Sequence, residues 1–102
     1  MGYFLDGRVS AVWGTHTHVP TADARVLPGG TGFVTDVGMT GAVNTVIGVA
    51  KEKVIERFLK ENDAKFEWPE TEVAMVNALY VEVDPKTKKT KKIKLIQKEI
   101  KI

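Results

Sequence analysis

The stretch Val9 to Trp13 limits the fold more than any other, because it is apolar at every position except Ser10 and is halted by Gly14 and Pro20. A run that is apolar on both faces belongs to a strand covered on both sides, which is the habit of parallel strands in α/β sheets. Such sheets place their sites just beyond the carboxyl ends of their strands. Here that position holds Gly14-Thr15-His16-Thr17-His18, which contains both histidines of the chain. If the backbone stays extended, side chains two apart leave the same face, so His16 and His18 converge while Thr17 points the other way. A neutral imidazole offers one lone pair, and two convergent imidazoles can share a metal ion or address two neighbouring ions. The alternative is a pair of solvated histidines at a strand end.

Composition restricts the chemistry further. With no cysteine in 102 residues there are no disulfides and no thiolate ligands, so any metal must be held by nitrogen and oxygen. The same absence fits a cytoplasmic setting. The opening Met1-Gly2-Tyr3-Phe4-Leu5-Asp6 has no basic region and only a short apolar run, so it reads as neither a signal peptide nor a membrane span. A length of 102 residues suits a single domain with one modest core. Charge is unevenly spread: positions 86–102 carry eight lysines against Glu99, which leaves the rest of the chain net acidic. A concentration of this kind marks an electrostatic contact with RNA, phosphate or an acidic surface, or keeps an edge strand from pairing with strangers.

Along the chain, Gly2 to Leu5 reads as the tail of a helix closed by Asp6-Gly7. Thr21 to Thr31 reads as loop around Pro28-Gly29-Gly30, with Asp23 and Arg25 as exposed charges. Gly30-Thr31-Gly32 lacks the third glycine of a dinucleotide turn and precedes a strand, so it is rejected as a phosphate cradle. Gly32 to Val37 reads as a strand opening into Gly38-Met39-Thr40-Gly41, a sharp loop whose amides could face an anion, or a plain turn with Met39 filling an apolar gap. Asp36 could receive a hydrogen bond from a metal-bound histidine or cap local backbone. Lys51 to Asn62 has Val54, Ile55, Phe58 and Leu59 at helical spacing and reads as an amphipathic packing helix, with Glu52 and Glu56 on its solvated side. Val73–Val83 and Ile93–Ile102 read as two strands joined by the turn Asp84-Pro85-Lys86-Thr87. Leu79, Val81 and Val83 are expected to pair with Ile93 and Leu95, and the slip between Leu95 and Ile96 suggests a bulge or burial on both sides. No aromatic residue lies between the lysines of the second strand, so no stacking platform is visible in the linear sequence.

The segments Tyr3–Asp23, Leu27-Pro28-Gly29-Gly30-Thr31 and Thr35-Asp36-Val37-Gly38-Met39-Thr40-Gly41 together resemble the C-terminal third of the YmdB-like metallophosphoesterases. These are a branch of the calcineurin-like phosphoesterase superfamily, linked to 2′,3′-cyclic nucleotide phosphodiesterase activity. The resemblance is strong over about residues 2 to 60 and fades beyond, and Ala42 stands where relatives often have proline. It implies an α/β fold of the α+β sandwich type, of which this chain would form the C-terminal portion: strands, one amphipathic helix and a C-terminal β-hairpin. It implies a single unit over 1–102, with a site-bearing part at 1–72 and a basic hairpin at 73–102.

By position in the Gly-x-His-x-His motif, His16 and His18 inherit the role of metal ligands. Asp36, Gly38, Met39, Thr40 and Gly41 are the supporting or substrate-loop candidates. The cofactor implied is a pair of divalent or trivalent ions, of iron, manganese, zinc or magnesium, acting on a phosphodiester or cyclic nucleotide. The family's other ligands and its general acid lie upstream of this stretch. The resemblance therefore implies a fragment of a longer hydrolase, or a reading frame started at an internal methionine, with no catalytic residue of its own and no activity alone. Unpaired strand edges in such a piece would be covered by a second copy, making a homo-oligomer. The competing expectation is a non-catalytic small α/β module that binds RNA or an acidic partner through Lys86, Lys88, Lys89, Lys91 and Lys92.

Overall fold

The computed structural model describes residues 1–60 and 65–102. A short helix, α1 (Gly2–Leu5), leads into β1 (Ala11–Trp13), which lies parallel to β3 (Gly32–Val34) with Val12 opposite Phe33. The parallel pairing expected from the apolar run is present, but the expected cover on both faces is not, since Val9 is 40% and Trp13 60% exposed. Both strands are shorter than the sequence suggests, since β1 begins at Ala11 and not Val9, and β3 stops at Val34 and not Val37. Between them β2 (Arg25–Val26) pairs antiparallel with β3, inside a stretch that reads as loop from sequence.

Asp6 sets the entry to this sheet. Its carboxylate accepts the amides of Gly29 at 2.7 Å and Thr31 at 3.2 Å, tying the Leu27–Thr31 turn to the end of α1. The fully buried Thr31 hydroxyl donates to the Val9 carbonyl at 2.6 Å and accepts the Gly7 amide at 2.9 Å. The polar groups pulled under the turn are thereby satisfied, as burial requires.

A second sheet has the order β4 (Gly41–Ala42), β7 (Val73–Val83), β8 (Thr90–Lys101). The β7–β8 hairpin is antiparallel, with Leu79 opposite Leu95 and Val81 opposite Ile93 as expected. Asp84 closes its turn by accepting the amides of Lys86 and Thr87, an Asx-type turn that needs no glycine. The irregularity falls at Glu82/Val83, next to this turn, and not between Leu95 and Ile96. The pairing runs unbroken through Ala78↔Ile96, so Leu95 and Ile96 face opposite sides of one sheet. Leu79 and Val81 line a hollow with Trp13 and Val37, so one face of the hairpin looks toward the first sheet. Thr90 bridges the sheets, its amide bonding to the Gly30 carbonyl and its hydroxyl to that of Ser10.

A small hairpin of β5 (Thr45–Val46) and β6 (Val49–Ala50) precedes helix α2 (Lys51–Lys60). The last residues of the expected helix, Glu61 and Asn62, lie outside the described residues. The expected packing role is not realised: α2 buries none of its residues, and Ile55, Phe58 and Leu59 are more than half exposed. The core is thin. Among the described residues the buried apolar side chains are Leu27, Val34 and Ala74. The radius of gyration is 17.5 Å, against about 13 Å for a compact chain of 100 residues. No described helix is long and apolar enough to cross a membrane.

Candidate functional site

The histidines do not sit on an extended strand. Past Trp13 the backbone turns, and His16 and His18 adopt φ values of 143° and 71°. Non-glycine residues rarely enter this region, and such conformations persist only where surrounding contacts fix them, most often at functional sites. The alternation argument therefore fails as a route to convergence. The pair is placed instead by its anchors.

The main anchor is Asp36. Its Oδ2 accepts both the amide and the hydroxyl of Thr17 at 2.7 Å, and its Oδ1 accepts the Gly38 amide at 2.8 Å. Of the two roles open to it, local backbone capping is the one observed. These bonds, that of the Thr17 hydroxyl foremost, hold the Asp36 carboxyl below its ordinary range, with a smaller contribution from nearby His16. Thr17, between the histidines, is the point at which the loop is held to the end of β3.

A second anchor is Asp23, which sequence alone reads as an exposed charge. It is half-buried and accepts hydrogen bonds from the Thr21 hydroxyl at 2.6 Å, the Thr35 amide at 3.0 Å and the Thr35 hydroxyl. Its carboxyl is lowered from 3.8 to about 2, chiefly by the Thr21 bond. The Thr21 hydroxyl accepts in turn from the Asp36 amide at 3.0 Å, so the two aspartates brace one loop through a shared threonine. Arg25 stays exposed.

Gly14 explains how the strand ends come so close. What approaches it is the Thr35 carbonyl oxygen, with which a β-carbon at Gly14 would collide, while the Val37 amide bonds to the Gly14 carbonyl at 3.0 Å. The Gly38–Met39 turn joins the same assembly. The Met39 amide donates to the His18 carbonyl at 3.1 Å, and Gly38, at φ 90°, lies against Pro20. With both amides engaged inside the protein, the turn positions the histidine loop and does not form an anion cradle. The Met39 sulfur lies over Gly41 and Gly48. Thr40 and Met39 are held to β7 by Asn77, whose amide donates to the Thr40 hydroxyl and whose side-chain nitrogen donates to the Met39 carbonyl at 2.5 Å. Gly41 pairs with Met75.

The His18 ring has one defined partner. Its Nδ1 lies 2.7 Å from the Ile47 carbonyl oxygen. A carbonyl can only accept, so Nδ1 carries a proton, and in the neutral ring the lone pair then lies on Nε2. This is the arrangement by which a metal-ligating histidine is oriented. Ile47 itself is strained: a β-branched residue at φ 44° is a genuine outlier. A carbonyl contact of this kind is invisible to sequence reading. Asn77 does carry a signal, since an amide midway along the otherwise apolar start of Val73–Val83 announces a polar task. Its Oδ1 is buried without a hydrogen-bond partner among the described residues.

The described residues contain no group of three or more His, Asp or Glu side chains able to enclose a metal ion. The donor set therefore fits a partial share of a metal centre, one oriented imidazole and a neighbouring one, and not a complete site.

Comparison with known proteins places the chain within longer relatives. The fold is a mixed α+β arrangement of the kind found in phosphatases. Superposition onto a phosphatase from Mycoplasma pneumoniae gives a TM-score of 0.88 at 39% identity, covering 96% of this chain and 35% of the other. A hypothetical protein from Thermus thermophilus gives 0.87 at 40% identity, covering 96% and 38%. The family model for YmdB-like proteins matches residues 1–96, and the chain belongs to that family. The 2′,3′-cyclic-nucleotide 2′-phosphodiesterase of Bacillus subtilis is 44% identical over 96 residues, which are 94% of this chain and 36% of that enzyme. The chain thus spans about a third of the length of that relative.

Proposed function

We propose that this chain supplies the last metal-ligand motif of a metal-dependent phosphoesterase that hydrolyses phosphodiesters of the 2′,3′-cyclic nucleotide type. The observation that carries the proposal is the His18 ring: its Nδ1 proton is committed to the Ile47 carbonyl, which leaves Nε2 as the nitrogen that can offer a metal its lone pair. Support for the reaction class comes from the relatives, which include a phosphodiesterase and a phosphatase.

His16 and His18 would hold one edge of the metal centre, each through a ring nitrogen. Bound metal ions in such centres supply an activated hydroxide and polarise the phosphate. This chain's residues do the positioning. Asp36 holds Thr17, Ile47 fixes the tautomer of His18, and Met39 pins the His18 backbone. The ligands thus arrive pre-oriented, which limits the reorganisation needed on metal binding. No group in this chain is assigned as the general acid, and the chain alone is expected to be inactive.

The test is a chimera in which residues 1–96 replace the matching segment of the B. subtilis enzyme. It should hydrolyse a 2′,3′-cyclic nucleotide and contain bound metal. His16→Ala and His18→Ala should each lower metal content and cut activity by roughly 10- to 100-fold or more, the usual cost of disturbing a metal shell. Unchanged metal content and activity in both variants would refute the proposal.

A further inference from the structure

We infer that the outer face of the β7–β8 hairpin is a binding surface for single-stranded RNA, distinct from the histidine site. Registration of the two strands places Tyr80 directly opposite Lys94, with Glu82 opposite Lys92 and Val76 opposite Lys98. Cross-strand partners share a face with β-carbons about 5 Å apart. One face therefore carries Tyr80 among Lys92, Lys94 and Lys98, an arrangement the linear sequence conceals because the aromatic residue comes from the other strand.

This face is the one turned away from the rest of the molecule. Leu79 and Val81, on the opposite face, line the hollow with Trp13, and Asn77 reaches back to Met39. Tyr80 is 46% exposed and the three lysines are exposed. The Tyr80 hydroxyl donates to Glu82 at 3.4 Å. Glu82 offsets one charge, and none of the three lysines is in an ion pair among the described residues. Lysine is almost never fully buried without a partner, so a strand face bearing it at positions 92, 94 and 98 is built to stay in water.

Successive residues on one strand face are about 7 Å apart, a step suited to following the phosphates of an extended strand. Base stacking on an aromatic ring flanked by cations is the usual way of holding single strands without sequence preference. An acidic protein surface would use the lysines but has no need of the ring. The turn lysines 86 and 88 lie beyond the hairpin's paired region, and Lys91 falls at the register irregularity. The Lys89 stem packs over Gly30.

The experiment is fluorescence anisotropy of the 102-residue chain with a labelled oligouridine of about 12 nucleotides, the upper part of the site-size range of a small single-strand binder, over a salt series, alongside a polyglutamate peptide. Far-UV circular dichroism of each variant confirms that the hairpin is intact. Replacing Lys92, Lys94 and Lys98 together by Gln should weaken RNA binding at low salt at least about tenfold and flatten the log–log salt slope by about 2. Tyr80→Ala should weaken it roughly 5- to 100-fold, with Tyr80→Phe within about twofold of the parent. Lys86→Gln with Lys88→Gln should cost far less than the triple change. The inference is overturned if the triple variant binds normally, if Tyr80→Ala has no effect, or if polyglutamate binds as tightly as RNA. None of these readouts involves the histidines, so the phosphoesterase proposal stands or falls separately.

Discussion

At the scale of single residues, the histidine loop is held by two hydrogen-bonded carboxylates. Asp23 and Asp36 both have lowered folded-state pKa values. Their stabilising effect is therefore complete above the ordinary carboxylate range and is lost as pH falls through the folded values, for Asp23 between about 4 and 2. Amide exchange at Thr17 and Thr35 should stay slow relative to the loop average down to about pH 4 and accelerate below it, and loss of protection above about pH 6 would contradict the scheme. In the chimera, Gly14→Ala should destabilise by roughly 1–3 kcal/mol, because the Thr35 carbonyl is backbone and cannot step aside. Its thermal midpoint reads this directly. Legibility at this scale was partial. The Gly-Thr-His-Thr-His motif identified the two ring positions, but the positive φ values, the Ile47 carbonyl and the bracing by Asp23 depend on long-range contacts that no local pattern encodes.

At the scale of elements, the hairpin was the most readable part. Alternation in Leu79, Val81, Ile93 and Leu95 and the Asp84-Pro85 turn fixed both strands and their pairing. The bulge was misplaced because two adjacent apolar residues, Leu95 and Ile96, mimic a slip when one of them is simply on the outer face. Helix α2 was legible in its periodicity but not in its environment, since a pattern reports which side is apolar and not whether anything covers it. Asn77 joins hairpin to site. Asn77→Ala removes the donor to the Met39 carbonyl and should cost roughly 1–3 kcal/mol, and it should perturb the amide resonances of Gly38 and Met39. Unmoved resonances there would detach the hairpin from the site.

At the scale of the molecule, a thin core, an uncovered α2 and a 55 Å long axis describe a chain whose apolar faces exceed what it buries. The isolated chain should melt broadly and bind a hydrophobic dye such as ANS, while the chimera should melt as one cooperative transition. A sharp, dye-free transition of the isolated chain would show that the exposed faces are tolerated. Under the proposed function the histidine pair would be one share of a larger metal centre. Its most direct test is a long-range ¹H–¹⁵N NMR titration of the chain with millimolar Zn²⁺. The expected result is that His18 Nε2 moves while its Nδ1 stays protonated, with His16 shifting in step. Two rings that titrate with acid but ignore zinc, or zinc entering at Nδ1 of His18, would contradict the assignment.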